Sequence, residues 1–206
     1  MTPFAKIAVY TLLAITLGGL AFFIVPLFGG GKQLPILGNP GHQVQDFSFL
    51  NQNGKTVTQN NIAGKIVIAE YFFTTCPGIC KDMSANLKKV YNKYHDDTDV
   101  VILSHTVDPE TDSVPVLKAY AEKYGVQNEN WQFLTGDKYQ LYKLAHQSYL
   151  LTADSARRES VSEAFIHTQY VCLVDKKKRI RGFYDATSKE STEKLIEDIK
   201  RLSREG

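Results

Sequence analysis

The sequence predicts an α/β fold, with helices packed on a mixed central sheet, preceded by one transmembrane helix. Three observations carry this expectation. Apolar runs of strand length at 66–73, 100–103 and 131–134 alternate with segments of helical period. Two strand-like runs near the carboxyl end, 169–174 and 179–183, flank a short basic turn and precede a further helix. The stretch 7–28 carries no charge and is apolar except for Thr11, Thr16, two glycines and Pro26.

That stretch is long enough to span a bilayer, which takes about 20 apolar residues. A cleaved signal peptide is the alternative. It normally has a shorter apolar region ending in small residues, whereas Pro26-Leu27-Phe28 is bulky. An uncleaved anchor over 7–28 is therefore expected, with 1–6 as a cytoplasmic tip. Lys6 precedes the span and Lys32 follows it, so the positive-inside bias is slight. We place the domain on the outer, periplasmic side of the cell (inner) membrane. Residues 29–40 read as a tether rich in Gly and Pro, and 41–206 as one domain with a full core.

Within the domain, Phe47–Leu50 and Thr56–Thr58 read as two short strands joined by a turn at Asn51–Gly54. Ile66–Phe73, apolar except for Glu70, reads as a central strand covered on both faces. A helix follows to about Tyr94, with Met83, Leu87, Val90 and Tyr91 at helical spacing. Val100–Leu103 is a second buried strand, entering a loop from Ser104 to Asp112. A helix over 114–124 ends at Gly125. Trp131–Leu134 is the third strand, and 138–147 the next helix. Thr152–Glu163 is polar and reads as a loop, and the last helix covers about 192–203. This order is that of a thioredoxin-like fold with an added N-terminal β-hairpin.

A net charge of +2 gives no hint of a nucleic-acid partner, and no stripe of Lys and Arg interleaves with aromatics. Lys176-Lys177-Lys178-Arg179 reads as a solvated hairpin turn.

The chemistry concentrates in Thr75-Cys76-Pro77-Gly78-Ile79-Cys80, where a buried strand breaks into a helix, and in His167 far downstream. With Cys80 in the first helical turn and Cys76 in the loop before it, both sulfurs can face one point, and the helix dipole favours thiolate. His167 precedes a strand expected to run antiparallel to the first, so it falls at the same sheet edge, where ligands of open α/β sheets usually sit. Two thiolates and an imidazole suit soft metals, copper(I) above all. Structural zinc normally takes four protein ligands, and no fourth stands at a zinc-like spacing. The same thiols can cycle through a disulfide. A structural disulfide, or simple burial, is the plainer alternative, although so short a loop would restrict little chain entropy.

Phe73-Thr74-Thr75-Cys76-Pro77-Gly78-Ile79-Cys80 resembles the Cys-Pro-x-x-Cys signature of the Sco/SenC family. So do Asn53-Gly54-Lys55-x-Val57-Thr58, the Val107-Asp108-Pro109-Glu110-x-Asp112 loop, and His167 before Tyr170-Val171-x-Leu173-Val174-Asp175. The similarity covers about 41–202. It implies a membrane-anchored, thioredoxin-like copper metallochaperone that assists maturation of the copper centre of cytochrome c oxidase, with Cys76, Cys80 and His167 binding the copper ion. It implies as partners the oxidase's copper-binding subunit and, beside it, another copper chaperone or a thiol reductase. One departure stands out. The family often has an acid immediately before the histidine, where this chain has Ile166. A carboxylate orienting the imidazole is missing there, with Asp108 or Glu163 as substitutes.

Two other functions remain open. A thiol–disulfide oxidoreductase would use Cys76 and Cys80 as its redox pair, although three residues separate them where thioredoxin motifs have two. A peroxiredoxin-like peroxidase usually has Thr three residues before its reactive Cys, where this chain has Phe73. It also needs a cation, for which Arg157, Arg158, Arg179 and Arg181 are candidates. Of the other residues, His105 follows a strand at the active edge and is within reach of a metal or partner. His42, His95 and His146 read as surface or helix-face residues. Cys172 reads as an inert small hydrophobe and Met83 as core.

Overall fold

The computed structural model describes residues 33–151 and 168–205, with scattered helical positions between 3 and 19. The chain divides into two units, Met1–Gln33 and Leu34–Gly206. In the first, the expected anchor lies mostly outside the described residues. Among the described residues no helix is long and apolar enough to cross a membrane.

The second unit opens with a hairpin, β1 (Ser48–Asn51) and β2 (Thr56–Thr58). Its turn is built by Asn51, whose Oδ1 accepts the N–H groups of Asn53 and Lys55, and by Gly54 at φ 72°. Then come β3 (Ile66–Phe72), α1 (Ile79–Tyr94), β4 (Val100–Thr106), α2 (Val114–Lys123) and β5 (Trp131–Thr135). A short α3 (Lys138–Lys143) passes into a π-turn at Leu144–Ser148. The last elements are β6 (Tyr170–Val174), β7 (Ile180–Asp185) and α4 (Lys189–Glu205).

The strands form one sheet in the order β2-β1-β5-β4-β3-β6-β7. β3, β4 and β5 are parallel, while β1 and β6 flank them antiparallel. The mixed sheet expected from the sequence is therefore present. Every residue of β3, β4 and β5 is buried, as strands covered on both faces must be. Period-two alternation assigns the faces. Ile66, Ile68 and Phe72 join α1, α2 and α4 in one apolar cluster. Val67, Ala69 and Tyr71 join α3, Phe47 and Phe49 in the other.

Three boundaries differ from expectation. β4 runs on to Thr106 because Glu70, Tyr71 and Phe72 continue the ladder with Ser104, His105 and Thr106. α4 begins at Lys189, and the helix after β5 turns π-helical at Leu144. Part of the expected tether is docked: Leu34 is buried, and the Leu37 N–H donates to the Ile180 carbonyl at 2.9 Å. The basic turn is a hairpin, with Asp175 Oδ1 accepting the N–H groups of Lys177 and Arg179.

Candidate metal centre

β3 ends at the carboxyl edge of the sheet, and the chain reverses at once. The Cys76 N–H donates to the Phe73 carbonyl at 3.3 Å, closing a turn over Phe73–Cys76. α1 follows with Gly78 as its N-cap and no side-chain cap. The first N–H groups of a helix lack partners within it. Here the backbone N–H groups of Gly78 and Cys80 are directed at the Cys76 sulfur, and the Cys80 thiol donates to it as well.

Both cysteines are buried, at 5% and 3% exposure, and all three cysteines of the chain are free. The pair is asymmetric. Burial pushes against ionisation of Cys76, but the Cys80 thiol, the two backbone N–H groups and Lys81 outweigh it and lower its pKa. Burial first, then the bond given to Cys76, pushes the Cys80 thiol up to about 12. The helix terminus thus favours thiolate at Cys76 only.

Sequence reasoning passed over Glu70, the single charged residue in β3. It faces the same cluster as the cysteines and is fully buried. Ser104 Oγ donates to its Oε1 and itself accepts the Trp131 indole N–H at 2.8 Å. Oε2 has no hydrogen-bond partner among the described residues. Desolvation raises its pKa to about 7, against the lowering effect of Ser104. A carboxyl group whose folded value lies above its unfolded one adds stability in full below about pH 4.5 and loses it as pH rises through 7. Glu70→Gln should therefore flatten the pH dependence of unfolding and raise stability at pH 8 by on the order of 3 kcal/mol. Denaturant titrations at pH 5 and pH 8 read this directly, and equal pH slopes in both proteins would refute it.

His167, the third expected ligand, lies outside the described residues, as do Glu163, Ile166, Arg157 and Arg158. Thr168, its neighbour, is described and buried. The β3–β6 register pairs Ala69 with Cys172, so β6 starts level with the end of β3, just below the cysteine turn. Among the described residues, no three His, Cys, Asp or Glu side chains form a metal-holding group.

His105 is not at the edge. It sits inside β4 on the opposite face, stacked on Tyr71 at 4.9 Å and packed near Phe47, Phe49 and Tyr149. Its Nδ1 lies 3.2 Å from the Glu70 carbonyl, and burial lowers its pKa to about 4. The extra residues of β4 moved it there. Cys172 is fully buried, and burial pushes its thiol up. Met83 is core. His42 Nε2 lies 2.8 Å from the Ser148 carbonyl, and His95 pairs with Asp96. Asp108 shapes its loop, its carbonyl accepting the N–H groups of Thr111 and Asp112. Glu110 pairs with Lys138. Arg179 and Arg181 are bound to Asp175 near the amino end of β3, far from the cysteine turn along the strand. Neither supplies the cation a peroxidatic thiolate needs.

The sequence profile described as SCO1/SenC matches residues 38–204. The SCO1 protein homolog of Bacillus subtilis (strain 168) is 30% identical over 176 residues, covering 84% of this chain and 89% of that protein. A solved structure of BsSco, a Sco-family cytochrome c oxidase assembly protein in which a disulfide switch was identified, superposes with a TM-score of 0.68. It is 28% identical and covers 84% of this chain and 99% of that one. ScoI of Bradyrhizobium japonicum, solved with copper bound, shares the fold at a TM-score of 0.60 and 23% identity, covering 78% of this chain and 99% of that one.

Proposed function

The chain belongs to the SCO1/SenC family, and from that premise we propose that it is a copper metallochaperone. It takes copper(I) as cargo on Cys76, Cys80 and His167 and hands it to the copper-binding subunit of cytochrome c oxidase. The apolar stretch 7–28 anchors it, with the domain outside. The observation that carries this reading is the pair of free, buried cysteines, hydrogen-bonded thiol to sulfur, at one turn on the sheet edge.

The donor set fits the metal. Thiolate sulfur and imidazole nitrogen match copper(I), and no hard oxygen ligand is needed. The thiol asymmetry suits loading: Cys76 is the readier thiolate, and the Cys80 proton leaves as its sulfur is engaged. His167 is the third donor of this reading because it immediately precedes Thr168 in sequence, and β6 begins level with the end of β3.

The test is a titration of the reduced full chain in detergent with copper(I) against a competing chelator. One copper per chain held against the chelator is the expected result. No retention would refute the reading.

A second reading, thiol–disulfide exchange on the oxidase's cysteines, is favoured by the lowered Cys76 pKa beside a protonated Cys80. That arrangement is an attacking and a resolving thiol. It predicts metal-free turnover of a disulfide substrate that survives His167→Ala.

A further inference from the structure

We propose that Asp112, at the end of the Val107–Asp112 loop, is the positioning residue of the thiol pair. Its carboxyl group pins the corner of the turn that presents Cys76 to Cys80. The inference rests on that pair being the working centre of the protein.

Asp112 is fully buried, with no exposed surface. Thr74, two residues before Cys76, gives it both of its donors. The Thr74 N–H lies 3.3 Å and 3.2 Å from the two carboxyl oxygens, and Thr74 Oγ1 donates to Oδ1 at 2.5 Å. Thr106, the last residue of β4, donates to Oδ2 at 2.5 Å and accepts the Asp108 N–H at 2.9 Å. One carboxyl group thus fastens the chain leaving β3 to the chain leaving β4.

The geometry of the turn shows why this matters for the sulfurs. Phe73–Cys76 is closed by the Cys76 N–H to the Phe73 carbonyl, which makes Thr74 its first corner residue. The Phe73 backbone also bonds to the Cys80 sulfur. Both sulfurs are therefore referenced to the same four-residue turn, and Asp112 is what holds its corner. Among the described residues, Asp112 is the side chain that accepts the Thr74 N–H. Hydrogen bonds to a carboxylate, backbone N–H donors included, are shorter and stronger than those between neutral groups. Removing one leaves buried donors unsatisfied and the corner free to rotate.

The bond given to Cys76 by the Cys80 thiol exists only in the dithiol form, since a disulfide has no thiol proton to donate. Loosening the turn weakens it, so the dithiol loses stability relative to the disulfide. Asp112→Asn and Thr74→Val should each move the Cys76–Cys80 equilibrium toward disulfide by about tenfold, which is about 30 mV. Thr74→Ser keeps the hydroxyl and should behave as the unaltered protein. Copper(I) affinity should fall by about tenfold or more in the first two variants, in the range seen when a partner orienting a ligand is removed.

The experiment equilibrates the metal-free full chain with glutathione redox buffers and counts free thiols, with circular dichroism confirming the fold. If Asp112→Asn fails to fold, Thr74→Val decides, since it removes one hydroxyl only. Folded Thr74→Val with an unshifted equilibrium, or one shifted toward dithiol, overturns the proposal. A shifted equilibrium in a protein that binds no copper would leave Asp112 in this role and remove the copper reading instead.

Discussion

Cys76→Ser should lower the copper(I) affinity of the reduced full chain by more than about 100-fold, and Cys80→Ser by as much. Changing a residue that only orients a ligand costs about 10–100-fold, and replacing a ligand itself costs more. Serine offers a hard hydroxyl in place of a soft thiolate, a poor exchange for copper(I). His167→Ala removes a borderline donor and leaves two thiolates, so its loss should be smaller, on the order of 10–100-fold. The order Cys76→Ser and Cys80→Ser below His167→Ala below unaltered protein is therefore the expected series. Chelator competition measures it. Affinity unchanged in both Cys76→Ser and His167→Ala would end the copper reading, and thiol exchange would stand in its place.

Arg181→Ala should destabilise the domain by about 3–5 kcal/mol, the range for breaking a buried ion pair from one side. The guanidinium is only 3% exposed. It donates to Asp175 at 2.9 Å, to Glu205 at 2.8 Å, and to the Leu34 and Pro35 carbonyls at 2.7 Å and 3.1 Å. The substitution leaves two backbone carbonyls without donors and Asp175 with Arg179 as its one remaining ion-pair partner among the described residues. It also unfastens the segment entering the domain, whose Leu34 N–H is bonded to Glu205. A lower melting temperature with earlier proteolysis near Leu34 is the expected pair of results.

The pH dependence follows from Asp175. Against desolvation, the bonds from Arg179 and Arg181 hold its carboxyl below the ordinary carboxylate range. A depressed acid contributes stability above its unfolded value and loses it as pH falls through the folded one. The gap between Arg181→Ala and the unaltered protein should therefore narrow in acid. A gap independent of pH would show that the carboxylate is not what the arginine stabilises.

Local chemistry made much of this molecule legible from its residues. Asn51 and Gly54 announced a hairpin turn, and both do the work expected of them. Uninterrupted apolar runs announced strands covered on two faces. The Cys76–Cys80 spacing announced a pair at a strand-to-helix break, because a helix start offers free N–H groups wherever it occurs. His105 was misplaced for a reason of the opposite kind. Nothing near Ser104 marks a strand end, and β4 extends only because β3 beside it supplies bonding partners to Phe72. Strand length is set by the neighbour.

The same division runs through the site. The order of residues alone settled which donors the chain owns, that two of them share one turn, and that a thioredoxin-like sheet carries them. Packing alone settled how those donors behave. A thiol beside helix N–H groups and one sunk in an apolar cluster differ in acidity because of burial. The carboxyl group of Asp112 reaches the cysteine turn, across 38 residues of sequence, because two parallel strands end side by side. Distances of that kind are products of folding, since they depend on which surfaces exclude water together rather than on which residues adjoin.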